Sequence, residues 1–262
     1  MTPLPSLTWA VTSDPGLKRT SNEDSYSTRP DVGLFVVADG MGGHVAGEVA
    51  SRVAVEAIEA FIQETAGADR NRTWPFPFDP SISLEANRLR AAFRLANRKI
   101  ASAIADSQDL RGMATTASAV LLGARSASVA HVGDSRVYVL RDGTLQQITH
   151  DHSWVEEQVR AGTMTASAAR QHPWRNVVTR ALSGGTDPEI DTVELSPAKG
   201  ERFLLCSDGL SGVVAHETIE SILAGRDGLE AICDRLIAAA NDGGGPDNIT
   251  VLVLEVADSD AP

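Results

Sequence analysis

Residues 33–44 read GLFVVADGMGGH, and the fold is legible outward from them. The apolar run Leu34-Phe35-Val36-Val37-Ala38 suits a buried strand and is too short to argue for a helix. It stops at Asp39. Gly40, Gly42 and Gly43 then let the backbone turn sharply and approach whatever that carboxylate holds. FLLCSDG at residues 203–209 repeats the pattern and places Asp208 where the first run places Asp39. Asp-Gly occurs five times, so the dipeptide alone means only a turn. Asp142-Gly143, between VYVL and TLQQIT, reads as a type I′ hairpin. Asp227 and Asp242 read as helix boundaries. Asp208 is the counterpart of Asp39.

Residues 7–13 (LTWAVTS) read as a strand, followed by a polar loop, LKRTSNEDSY, carrying Arg19, Asn22, Glu23 and Asp24. Helical spacing of apolar residues predicts long amphipathic helices over 45–65 and 82–107. Between them lies a loop with Trp74, Phe76 and Phe78 among prolines, expected to fold back over the core. Four short apolar runs after residue 114, punctuated by glycine, predict an antiparallel meander. Residues 151–162 read as helical. Residues 163–183 have no clean period and read as a small flap holding His172, Trp174 and Arg175. Strands are expected over 191–195 and 202–207, helices over 217–223 and 229–241, and a final strand after GGGPDN. This is not a βαβα alternation. It predicts an α+β chain of packed antiparallel sheets with helices on their outer faces, in a single domain over 1–262.

The net charge of −12 argues against nucleic acid and against an anionic membrane surface. Two cysteines make no disulfide framework, and the N-terminus lacks the regions of a signal peptide, so a cytoplasmic chain is expected. No stretch reads as a membrane span.

Asp39 and Asp208 converge if their strands lie in neighbouring layers. Asp247, after Gly243-Gly244-Gly245-Pro246, and Asp24 are further candidates for one carboxylate cluster. Such a donor set selects hard cations, Mg²⁺ or Mn²⁺. His131, His150, His152, His172 and His216 show no zinc-ligand spacing and read as surface or turn histidines. No GxSxG elbow, C-x₅-R loop or GxxxxGK[ST] loop is present. What remains is metal-activated water attacking phosphorus, with a guanidinium to grip the phosphoryl oxygens. Arg19, five residues before Asp24, is placed for that. Asp134 and Ser135 read as satisfying backbone groups at the sheet rim.

Six segments occur in a telling order: GLKRTSNEDS (16–25), VVADGMGGHVAGEVAS (36–51), DLRGMATT (109–116), VGDSRVY (132–138), LLCSDGLS (204–211) and GGPDNIT (244–250). Together they resemble the PPM (type 2C) metal-dependent protein Ser/Thr phosphatases, in their compact bacterial branch. The resemblance implies a four-layer α-β-β-α sandwich, two antiparallel β-sheets flanked by helix pairs. It implies two Mn²⁺ or Mg²⁺ ions bridged by Asp39, with the Gly40 carbonyl, Asp208 and Asp247 as further ligands, and Glu23 and Asp24 acting through coordinated waters. Arg19 would bind the substrate phosphate and His44 would protonate the leaving oxygen. Asp109, with Asp208, would hold a third ion. Relatives commonly read GMGTT where this chain has Ala114, so the turn aiming Asp109 is expected to differ. Implied partners are phosphorylated proteins and a Hanks-type Ser/Thr kinase whose action a monomeric phosphatase would reverse. A pseudophosphatase and a small-molecule phosphomonoesterase stay open as alternatives; the first would lack metal acids, and none is lost here.

Overall fold

The apolar runs are strands buried on both faces, which is why they read as continuous runs and not as alternations. In the computed structural model, which describes residues 4–42, 45–124 and 126–257, successive side chains of each core strand enter different layers. The elements in order are β1 (Leu7–Asp14), β2 (Asp24–Arg29), β3 (Leu34–Met41), α1 (Val45–Glu64), α2 (Leu84–Asp106), β4 (Ala114–Thr115), β5 (Ala117–Leu122), β6 (Ala127–Val132), β7 (Arg136–Arg141), β8 (Thr144–Gln147), α3 (Trp154–Arg160), α4 (Ala166–Gln171), β9 (Asp191–Leu195), β10 (Arg202–Cys206), α5 (Asp208–Ser211), α6 (His216–Leu223), α7 (Leu229–Asp242) and β11 (Ile249–Val256). A 3₁₀ turn at Gln108–Leu110 follows α2.

One sheet has the order β1-β11-β10-β7-β8 and the other β2-β3-β5-β6-β9, with β4 paired to the end of β3. Every pairing is antiparallel. On β3, Leu34, Val36 and Ala38 pack under α1 and α2, whereas Phe35 and Val37 enter the space between the sheets. On β10, Leu204 and Cys206 face α6 and α7, whereas Phe203 and Leu205 meet Phe35 and Val37 in the middle layer. The expected α-β-β-α sandwich results, with three apolar layers. Each fully buried large side chain contributes about 1.5–3 kcal/mol. Both cysteines are free and buried.

The Asp142-Gly143 hairpin has positive φ at both residues, 51° and 77°, as a type I′ turn requires. Trp74 and Phe76 do fold back onto the α1–α2 core. Trp74 meets Phe61 edge-on with centroids 6.4 Å apart, and Arg98 lies over Phe76 at 4.2 Å.

Three expectations need correction. The polar loop ends earlier than its composition suggests, because Asp24–Arg29 is an edge strand. Its serines and Arg29 find partners on α1 (Ser25 with Ser51, Ser27 and Arg29 with Glu59), so a polar sequence is satisfied on a sheet. The helix expected from residue 151 begins at Trp154, capped by Ser153, while Asp151 and His152 are engaged elsewhere. Ala114 causes no distortion. It lies in β4 opposite Met41, in extended backbone where a side chain is tolerated, and Gly112 takes the positive φ of 82°.

Candidate metal centre

The strand ends bring acids from both sheets to one rim of the sandwich. Asp24 and Asp39 are direct cross-strand partners on β2 and β3. Following the alternation of Phe35 and Val37, Asp39 enters the space between the sheets. From the opposite sheet, Asp208 opens α5 directly after β10, and Asp247 precedes β11. Asp24 crosses the gap: its Oδ2 accepts from Ser207 Oγ at 2.8 Å and Thr250 Oγ1 at 2.7 Å. Asp39 lies near enough to Asp208 to act on its protonation.

Main-chain bonds hold these acids in place. The Asp39 N–H donates to Thr116 Oγ1, and its carbonyl accepts from the N–H of Thr116 and the hydroxyl of Thr115. Gly40 N–H donates to the Glu23 carbonyl at 3.1 Å. Gly47 on α1 leaves room for Glu23, since a Cβ there would stand 2.2 Å from Glu23 Oε2. Gly16 lets the first loop touch the last: it has φ +76°, and a Cβ would fall 2.1 Å from the Asp247 carbonyl.

The electrostatics are those of acids crowded away from water. Burial pushes Asp24 up to about 7 against the hydrogen bonds from Thr250 and Ser207. Burial raises Asp39 well above the usual carboxylate range, and Asp24, Asp208, Asp134 and Asp247 add to it. Asp208 is pushed up to about 6, by burial and then by Asp247. Oδ1 of Asp24 and Oδ1 of Asp208 are both buried and have no hydrogen-bond partner. Orphaned carboxylate oxygens in an all-oxygen donor set fit a hard divalent cation.

The remaining expected residues fall as follows. Arg19 is half exposed and its Nη2 donates to Asp247 Oδ2 at 2.7 Å. Asp109 stands exposed on the 3₁₀ turn leading to β4. His44 lies outside the described residues. Trp154 packs against His172 and Trp174 at 4.9 Å each, so the flap is pinned to α3 by aromatic contacts. A cleft of about 650 Å³ runs from Asp134 and Asp208 along the flap past Val155, Arg170 and Arg175.

Sequence reasoning missed two residues here. Asp134 is buried beside the cluster; burial, then Asp208 and Asp151, push it up to about 8, while a backbone hydrogen bond pulls the other way. Its signal was its place one residue beyond a core strand, as with Asp39. Asn248 is the other. Its Oδ1 accepts from Glu23 N–H at 2.8 Å, and its Nδ2 donates to the carbonyls of Pro15 and Ser21. It thereby ties the Arg19–Glu23 loop to Asp247. His131 and His152, expected as surface or turn histidines, are buried. Arg136 is structural: it grips Asp151 through two hydrogen bonds, of 2.8 and 2.7 Å, and donates to Tyr138.

The family described as Protein phosphatase 2C matches residues 18–248. The chain belongs to the protein phosphatase 2C family. It is 41% identical over 254 residues to the serine/threonine protein phosphatase PstP of Mycobacterium tuberculosis, covering 97% of this chain and 46% of that protein. It thus spans about half the length of that relative. Against the serine/threonine phosphatase stp of Listeria monocytogenes it is 36% identical over 249 residues, 93% of each chain. The crystal structure of M. tuberculosis PstP superposes with a TM-score of 0.85 at 39% identity, covering 96% of this chain and 99% of that one. The PstP catalytic domain in complex with two manganese ions gives 0.81 at 39% identity over the same shares.

Proposed function

We propose that this chain is a metal-dependent phosphatase that hydrolyses phosphoserine and phosphothreonine in proteins, reversing a Ser/Thr kinase. The observation carrying this reading is the convergence of Asp24, Asp39, Asp208 and Asp247 from two sheets, with two buried carboxylate oxygens left without partners. Asp39, the Gly40 carbonyl, Asp208 and Asp247 would hold two Mn²⁺ or Mg²⁺ ions, with Glu23 and Asp24 behind them; Asp109 would serve a third. Such ions lower the pKa of bound water and neutralise charge on a phosphoryl group. Arg19, anchored on Asp247, would orient the phosphate beside the acids. His44 would supply the proton to the leaving oxygen. Support also comes from the two manganese ions of the PstP catalytic domain.

The test is hydrolysis of a phosphothreonine peptide with Mn²⁺ and with EDTA. Turnover is expected only with metal, and full activity in EDTA would sink the reading. Arg19→Lys should lower kcat/KM by about 10–100-fold, because one ammonium replaces a fork of charge-assisted donors worth about 1.5–3 kcal/mol. Calorimetric Mn²⁺ affinity is measured alongside and turnover compared at saturating Mn²⁺, because Arg19 bonds Asp247 and a change behind a ligand can itself weaken the ion. An unchanged kcat/KM would remove Arg19 from the phosphate site.

Among the described residues no helix is long and apolar enough to cross a membrane. A cytoplasmic, monomeric enzyme in one catalytic domain with a flap at 163–183 is our reading of the composition. The flap residues His172, Trp174 and Arg175 would meet the substrate protein.

A further inference from the structure

Away from the acids, His131, His152 and Asp191 place donor atoms within 4.8 Å of one another. Two imidazoles and a carboxylate suggest an ion, but the bonding of His152 speaks against one. Its Nδ1 accepts the Gly133 N–H at 3.1 Å, so the ring proton sits on Nε2. That nitrogen faces Asp191 Oδ2 at 3.2 Å as a donor and has no lone pair to give. Arg180 brings a positive charge 3.4 Å from the same nitrogen and 3.3 Å from Asp191 Oδ1. His131 forms no hydrogen bond through either ring nitrogen. It stacks on His152 with centroids 4.3 Å apart and planes at 23°, acting as a flat backing plate.

What His152 joins is more telling. Its backbone N–H donates to the Gly133 carbonyl, and its own carbonyl accepts from Thr179. Its neighbours do the same work: Asp151 holds Arg136, and Ser153 caps α3 and bridges to Val178. On one side of residues 151–153 lies the turn carrying Asp134. On the other lies the C-terminal end of the flap, with Arg180 at its exit held by Asp191 and by Glu189 at 3.2 Å.

We infer that His152 is a positioning residue: its ring straps the flap to the Gly133–Asp134 turn, so that the flap wall of the cleft stands at a set distance from the metal acids. The consequence for turnover rests on the phosphatase reading; the strap itself does not. Without the strap, the metal centre remains and the cleft wall drifts. Binding of a long substrate suffers, and a small phosphoester that uses only the metal centre is unaffected.

His152→Asn keeps an acceptor near the Gly133 N–H and removes the reach to Asp191. Asp191→Ala breaks the same tie from an edge strand and leaves the buried ring in place. Both variants should speed amide exchange at residues 166–178 by about tenfold or more, since local opening is read directly by exchange. Both should raise the phosphopeptide KM by about tenfold and leave the p-nitrophenyl phosphate KM within about twofold. The double variant should be no worse than either single one, as members of one link are non-additive. Unchanged exchange and unchanged KM in both variants would overturn the proposal. So would stoichiometric Zn²⁺ binding that His152→Asn abolishes, because it would put an ion where we place a proton. A wild-type protein without turnover would sink the phosphatase reading alone, and exchange would still judge the strap.

Discussion

Asp39→Asn should abolish high-affinity Mn²⁺ binding and turnover while raising the melting temperature of the metal-free protein. The side chain keeps its shape, and the main-chain bonds of residue 39 to Thr115 and Thr116 do not depend on its charge. What is lost is the central charge of the donor set. Changing residues behind metal ligands commonly costs about 10–100-fold, so losing an acid proposed as a direct ligand should cost at least about 100-fold in affinity and rate. The metal-free fold gains because Asp39 is raised by burial and by four neighbouring acids, a penalty that an amide does not carry. Relief of about 1–3 kcal/mol corresponds to a rise of roughly 2–10 °C for a domain of this size. Calorimetry with Mn²⁺ and melting in EDTA check both halves. Wild-type Mn²⁺ affinity in the variant would remove Asp39 from the centre.

In EDTA, the wild-type protein should lose stability as pH rises from about 4 to about 8. Asp208, Asp24 and Asp134 are raised from 3.8 to about 6, 7 and 8. Between those limits the folded state retains protons that the unfolded chain has released. Raising pH therefore favours unfolding through that window. Below about 4 both states are protonated and the penalty is absent; above about 8 it is complete, on the order of a few kcal/mol. Melts at about pH 5.5 and about pH 8.5 should show a falling midpoint in EDTA and a much smaller fall with Mn²⁺, because an ion bound only to the folded state reverses the linkage. Equal midpoints in EDTA at the two pH values would show that the acids do not crowd one another as the structure places them.

The middle and outer layers were readable because their strands are apolar on both faces, and a run such as Leu34–Ala38 admits few other readings. The acids were readable because strand ends point them at one rim. Polar satisfaction was not readable. β2 looks like a loop because its serines and Arg29 are completed by Ser51 and Glu59, residues far off in the chain. His152 looked like a surface residue for the same reason, since its partners Gly133, Arg180 and Asp191 lie in three separate segments. Periodicity reports burial of apolar side chains; it carries no trace of a hydrogen bond between distant segments, such as that of Gly133 with His152. Asp134 shows the intermediate case: its position beyond β6 was visible, and its burial beside Asp208 depended on how the sheets stack.

The seating of Asp24 and Asp39 in one sheet, and of Asp208 and Asp247 at the strand ends of the other, makes the sandwich a pair of jaws. The spacing of those jaws is set by Phe35, Val37, Phe203 and Leu205, which fill the layer between them. Ion preference in this architecture is therefore a property of core volume as well as of ligand chemistry. A methylene gained or lost in that layer is felt at the rim as a change of bite, so selection for a smaller or larger cation has levers that never touch the cation.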